Sequence, residues 1–130
     1  MTEGRPPASS APASIVIFGA SGDLARRKLV PALFELHRQG QLAPETAVVG
    51  FSRSVDGDEA WRADLKAALA SFGGGGPDEE AWRGFAARLA HVRGDLREAG
   101  SFAGLKARLA AVEAERGLPG NRLFYLAIPP

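Results

Sequence analysis

The sequence predicts an α/β fold built on a doubly wound parallel sheet, and three observations carry that prediction. A β-branched apolar run, Ile15-Val-Ile-Phe18, drives straight into a glycine turn and then a helix-forming stretch. Strand and helix patterns alternate along the rest of the chain, as right-handed βαβ crossovers require. The strand segments are continuously apolar rather than alternating, which marks strands covered by helices on both faces.

Residues 1–14, rich in Pro, Ala and Ser and without the apolar core of a signal peptide, read as a disordered leader. Ile15 to Phe18 form the first strand. From Asp23 the period becomes helical: Leu29, Leu33 and Leu36 recur at i, i+4 and i+7, and Gly40 closes the helix. Pro31 has no N–H for the carbonyl of Arg27, so a kink is expected there. Ala47 to Phe51 read as the second strand. Helices follow from Asp58 to about Phe72 and from Asp78 to about Leu89, with Trp61 and Trp82 on their core faces, joined by the flexible linker Gly73-Gly-Gly-Gly-Pro77. His91-Val-Arg93 is a short third strand. Phe102, Leu105, Leu109 and Val112 share one face of a helix from about Ser101 to Glu115, Leu118-Pro-Gly120 turns, and Leu123 to Ile128 form a strongly apolar fourth strand.

Bulk properties bound the function. The 130 residues, 45% of them hydrophobic, suffice for one domain with a modest core. A net charge of +1 with dispersed arginines argues against nucleic acid or an anionic membrane as partner. No segment approaches the roughly 20 apolar residues that span a bilayer. Without cysteine there is neither a disulfide frame nor a thiolate metal site, which fits a reducing cytoplasm. His37 and His91 have no partners at metal-ligand spacing, so no metal is expected.

The turn Gly19-Ala-Ser-Gly-Asp-Leu-Ala25 has the spacing G-x-x-G-x-x-A, a variant of the dinucleotide fingerprint. Gly19 can take the angles of a tight strand-to-helix turn, Gly22 lets main chain approach a pyrophosphate, and Ala25 lets helix and strand pack closely. The unpaired N–H groups of a helix N-terminus hold the anion without a basic side chain. The cofactor-binding candidates of this turn are Gly19, Ala20, Ser21, Gly22, Asp23 and Leu24. Ser21 can donate to a phosphate oxygen, and Asp23 is placed to cap free N–H groups. Past the second strand, Gly50-Phe-Ser-Arg-Ser54 puts Arg53 between two hydroxyls where the adenosine ribose is met. An acid there accepts from the 2′-hydroxyl of NAD, whereas arginine accommodates the 2′-phosphate of NADP. NADP is therefore the expected cofactor.

Three blocks extend the pattern: Gly19-Ala-Ser-Gly-Asp-Leu-Ala-Arg-Arg-Lys-Leu-Val-Pro-Ala-Leu33, Val49-Gly-Phe-Ser-Arg-Ser54 and Asn121-Arg-Leu-Phe-Tyr-Leu-Ala-Ile-Pro-Pro130. In order and spacing they resemble the N-terminal region of the glucose-6-phosphate dehydrogenase family, from about Ile15 to the last residue. The resemblance implies a Rossmann-like sheet that is incomplete, comprising its first four strands over residues 15–130, with the substrate domain absent. It implies a 2′-phosphate arginine at Arg53, a lysine at Lys28 reaching the cleft near substrate and nicotinamide, and a nicotinamide wall shaped by Pro129 and Pro130. The segment His91-Val-Arg-Gly-Asp-Leu-Arg-Glu98 departs from the family, which usually has an aromatic residue before the turn and further acids after it. No cofactor contact is carried over to this loop.

The family enzyme oxidises glucose 6-phosphate at C1 and passes hydride to NADP⁺, at the entry to the pentose phosphate pathway. Its Glu-Lys-Pro block and its Arg-Ile-Asp-His-Tyr-Leu-Gly-Lys block are not found in these 130 residues, which offer no catalytic base. Three functions are therefore open: the NADP-binding portion of such a dehydrogenase, inactive alone and meeting glucose 6-phosphate only in the full-length enzyme, a free-standing NADP-binding or interaction module, and, behind these two, another nucleotide-sugar or short-chain reductase. The fourth strand, apolar and last, is also expected to be an exposed edge through which chains self-associate.

Overall fold

A computed structural model describes residues 11–72 and 78–127. Their elements are β1 (Ser14–Phe18), α1 (Val30–Arg38), β2 (Ala47–Ser52), α2 (Asp58–Phe72), α3 (Glu79–Ala86), β3 (Leu89–Arg93), α4 (Ala99–Arg116) and β4 (Arg122–Leu126). The strands form one parallel sheet in the order β3-β2-β1-β4, with Ile15 opposite Val48 and Leu123, and Val49 opposite Ala90. This is the expected doubly wound arrangement. Its first and fourth strands are neighbours, so the topology reverses between them.

Side-chain alternation along the strands distributes the core. Ile15, Ile17 and Val48 face Val30, Leu33, Trp61, Leu65 and Phe85, so α1, α2 and α3 cover one face. Val16, Phe18, Val49 and Phe51 point the other way, against Leu105, Leu109 and Val112 of α4. Both tryptophans lie in the first core, Trp61 fully buried and Trp82 nearly so.

Several boundaries differ from the sequence reading for local reasons. Of the leader expected over 1–14, residues 1–10 lie outside the described residues. Ser14 opens β1, its N–H donating to the Asn121 carbonyl (2.9 Å), and the Ala13 N–H donates to Thr46 Oγ1 (3.2 Å). Just before Pro31, where a kink was expected, the chain makes a π-helical turn over Ala25–Leu29, in which the Val30 N–H reaches back to the Ala25 carbonyl. The wider turn brings Pro31 to the first turn of α1, where an intrahelical N–H is not needed. Gly40, at φ +72°, ends that helix in a conformation that favours glycine. Leu89, expected at a helix end, instead begins β3. The linker expected over 73–77 lies outside the described residues.

At the amino-terminal end of the sheet two arginines tie loops together through main-chain carbonyls. Arg88, 8% exposed, donates from Nη1 to the carbonyls of Ala43 (2.7 Å) and Thr46 (2.9 Å) and from Nε to His37 Nδ1 (3.0 Å). Arg116, at the end of α4, donates to the carbonyls of Glu45 (2.8 Å), Ala87 (2.9 Å) and Pro44 (3.1 Å). At the far edge β4 is bare: Leu123, Phe124, Tyr125 and Leu126 are all exposed among the described residues, Leu126 by 68%. The apolarity read as burial on both faces belongs here to an open edge strand.

Candidate functional site

At the carboxyl ends of the strands, opposite the arginine ties, lies a cleft of about 670 Å³ bounded by the turn after β1, the loop after β2 and the loop after β3. Such crevices at a topological reversal are where open α/β sheets take ligands. The turn after β1 is shaped by Gly19 at φ +79°. The amides of Gly19 and Ala20 both donate to the Phe51 carbonyl (3.0 and 3.3 Å), and the Gly22 amide donates to the Gly19 carbonyl (3.0 Å). The amides of Ser21, Asp23 and Leu24 have no acceptor among the described residues. These are the donors left for an anion.

The cradle fits a diphosphate. A Cβ at Gly22 would stand 3.3 Å from the Gly19 carbonyl oxygen and 3.8 Å from that of Ala127, so main chain alone occupies the floor. Ser21 Oγ lies 2.8 Å from Ser54 Oγ, joining the first two loops across the cleft mouth. Arg53 lines the same space, and its guanidinium makes no hydrogen bond or ion pair among the described residues. Its main chain is held nonetheless: Arg93 Nε donates to the Arg53 carbonyl (3.1 Å), and Arg93 Nη1 lies 3.5 Å from Asp56 Oδ1. A fixed backbone carrying an uncommitted guanidinium suits an incoming anion.

Three sequence expectations need correction or refinement. Ala20 is fully buried behind the turn rather than in the cleft, since its N–H serves Phe51 and its carbonyl accepts from Trp61 Nε1 (3.2 Å). Asp23 caps no amide; its carboxylate, 75% exposed, lies 3.8 Å from Arg27 Nη1 one turn on. Of the hydroxyls flanking Arg53, that of Ser52 is committed, its residue buried and its Oγ 2.8 Å from His91 Nε2, while that of Ser54 lies against Ser21. Leu24 and Lys28 share a second, apolar depression with Tyr125, Leu126 and Ala127. Ala127 lines both depressions, so the two adjoin at the end of β4. Pro129 and Pro130 lie outside the described residues.

The loop after β3, to which the family resemblance carries no cofactor contact, is a wall of the cleft through Gly94, Asp95, Leu96 and Arg97. Gly94 is required by packing, since a Cβ there would fall 2.7 Å from the Phe51 ring and 2.9 Å from Ser101 Cβ. Asp95 is held at about 2 by its hydrogen bonds from the Arg97 side chain and main chain, with Arg53 adding at longer range. Nearby, Asp58 accepts the His91 N–H (2.8 Å) and pairs with Arg108 (2.9 Å). Burial opposes ionisation of Asp58, but these partners hold its pKa below the usual carboxylate value. His91 is pushed below its ordinary value by burial. Among the described residues no three His, Cys, Asp or Glu side chains group to hold a metal ion, and no helix is long and apolar enough to cross a membrane.

A family profile described as glucose-6-phosphate dehydrogenase, NAD binding domain, matches residues 16–130. Glucose-6-phosphate 1-dehydrogenase of Chlamydia pneumoniae is 38% identical over 124 residues, covering 95% of this chain and 24% of that protein. The Bacillus subtilis protein of the same name is 37% identical over 118 residues, covering 91% and 23%. Among solved structures, a glucose-6-phosphate dehydrogenase in complex with its substrate glucose-6-phosphate superposes with a TM-score of 0.79 at 36% identity, over 92% of this chain and 25% of that one. Glucose-6-phosphate 1-dehydrogenase from Mycobacterium avium gives 0.76 at 25% identity, over 92% and 24%. The chain thus spans about a quarter of the length of the curated relatives it matches.

Proposed function

This chain belongs to the glucose-6-phosphate dehydrogenase family, within its NAD-binding domain, and on that premise we propose that it supplies the NADP-binding half of the cleft in a cytoplasmic enzyme that oxidises glucose 6-phosphate. The observation that carries the reading is the pairing of three open amides, Ser21, Asp23 and Leu24, with the uncommitted guanidinium of Arg53 on the opposite wall. The amides meet the pyrophosphate through the partial positive charge of the helix start. Arg53 meets a 2′-phosphate and favours NADP over NAD. Gly19 and Gly22 keep the floor clear, while Ala20 acts from behind by fixing the turn against Trp61. From the adenosine side at Arg53 the cofactor runs across Gly22 to Ala127, which brings its nicotinamide end toward Leu24 and Lys28. Pro129 and Pro130 follow directly and are assigned to the nicotinamide wall by family resemblance. The bound nicotinamide supplies the hydride acceptor; the residues of this chain bind and orient it. None of the 130 residues is assigned as the base for the sugar hydroxyl, so glucose 6-phosphate oxidation by this chain alone is not expected. The bare β4 edge is the proposed route of self-association.

Calorimetric titration with NADP and NAD tests the reading. A charge-assisted contact to phosphate contributes on the order of 1.5–3 kcal/mol. Arg53→Ala should therefore weaken NADP by about ten-fold or more and leave NAD nearly unchanged. Equal losses for both cofactors would overturn the assignment of Arg53 to the 2′-phosphate.

A further inference from the structure

The loop after β3 presents a second cation to the same space as Arg53. Ser52 and Arg93 are partners in the parallel register, so the segments beginning at Arg53 and Gly94 leave the sheet side by side, and both Arg53 and Arg97 line the cleft. Arg97 is braced there. Its N–H and Nε donate to Asp95 Oδ1 (2.9 and 3.1 Å) and its Nη2 donates to Asp95 Oδ2 (2.8 Å). The Asp95 N–H in turn donates to Ser101 Oγ (3.0 Å), on the first turn of α4. Asp95 thus occupies one edge of the guanidinium and leaves Nη1 without a hydrogen bond among the described residues. Asp95 engages only the Nε and Nη2 side of Arg97, and the Arg53 guanidinium makes no hydrogen bond or ion pair among the described residues, so both guanidiniums keep donors open, and the free donor edge of Arg97 matches an oxyanion rather than a neutral ring.

We infer that Arg97 is a second ligand for the 2′-phosphate of NADP, a specificity-determining residue that grips it together with Arg53, while Asp95 is the positioning residue that aims it. The inference rests on the reading of the cleft as an NADP site and deepens it by assigning a residue from a loop to which the family resemblance gave no contact.

The test is calorimetric titration of the whole chain with NADP, NAD, adenosine 2′,5′-bisphosphate and 5′-AMP, for wild type, Arg97→Ala, Arg97→Lys and Arg53→Ala. Arg97→Ala should weaken NADP and the bisphosphate roughly ten-fold and change NAD and 5′-AMP by less than about two-fold. Arg97→Lys, which keeps the charge and loses the planar fork, should recover part of that loss. If Arg97→Ala weakens all four ligands alike, the side chain stacks on adenine and the inference fails. It fails too if none of the four changes. Loss of NADP in Arg53→Ala with no change in Arg97→Ala would reject Arg97 and keep the cofactor reading. No binding of NADP by wild type would reject both. Should Arg97→Ala not fold, Arg97→Gln, neutral but still able to hydrogen-bond Asp95, provides the same comparison.

Discussion

Gly50 lies in the middle of β2 directly behind the turn that follows β1, and adding a single methyl there should damage both stability and binding. A Cβ at this position would stand 2.6 Å from Trp61 Cζ2 and 2.7 Å from both Trp61 Cη2 and Ala20 Cβ. Carbon atoms in contact prefer about 3.5–4.0 Å, so each neighbour must retreat by about 1 Å. Neither has room, since Trp61 and Ala20 are both fully buried. Overpacking of this kind costs about 1–3 kcal/mol. Displacing Trp61 also endangers its Nε1–H donation to the Ala20 carbonyl, a buried bond worth about 1 kcal/mol. Gly50→Ala should therefore destabilise the chain by about 2–4 kcal/mol, read as a lower urea midpoint in tryptophan fluorescence. Its residual folded fraction should bind NADP less tightly because the turn moves with Ala20. The control is the same chemical change in α4: a Cβ at Gly104 meets nothing within 4 Å, so Gly104→Ala should stabilise by about 0.5–1 kcal/mol. A Gly50→Ala protein within about 0.5 kcal/mol of its parent would refute the reasoning, since that is the range of neutral surface changes.

Three further outcomes follow from the same structure. Burial, with the Arg88 charge for His37, lowers the pKa of both His37 and His91; the unfolded chain takes up protons below about pH 6.5 while the folded chain resists, so the urea midpoint should hold above that pH and fall below it. His37→Gln, which keeps an acceptor for Arg88, should flatten part of that slope. Phe124, 55% exposed on the bare edge, should drive association, so Phe124→Lys should shift light scattering toward monomer; an unchanged size distribution would place the contact elsewhere. With saturating glucose 6-phosphate and NADP⁺ the chain alone should give no steady rise in absorbance at 340 nm, and sustained NADPH production would show that it holds a base after all.

The β1 turn and the alternation of strand and helix were legible because local pattern specifies them. A β-branched run, two glycines and a helical period lie within a dozen residues, and each points to the same strand-turn-helix. The same locality explains the errors. The run Phe85 to Leu89 fits a helix end and a strand start equally well, and the choice falls to the pairing of Leu89 with Val48 in the sheet. The apolarity of β4 fits both a buried strand and the exposed edge that was also expected, and only its place at the end of the sheet order decides for the edge. Asp23 fits a cap by type and position, yet Arg27, four residues on, competes for its carboxylate. The wall formed by Asp95 and Arg97 could not be read at all, because it depends on Ser52 lying opposite Arg93, two residues distant in sequence that only the sheet brings together.

The two ends of the sheet are fastened by different chemistry. Arg88 and Arg116 grip main-chain carbonyls, acceptors that bring no countercharge for salt to screen. At the cleft end the ties are ion pairs, Asp95 with Arg97 and Asp56 with Arg93, whose arginines are 77% and 63% exposed. High salt weakens such exposed pairs. Loosening under such conditions should therefore be directional: the strap at the amino-terminal end stays shut while the mouth relaxes. Hydrogen exchange would register this as slow amides around residues 43–47 and early exchange around residues 53–56 and 94–98, well before the sheet between them opens.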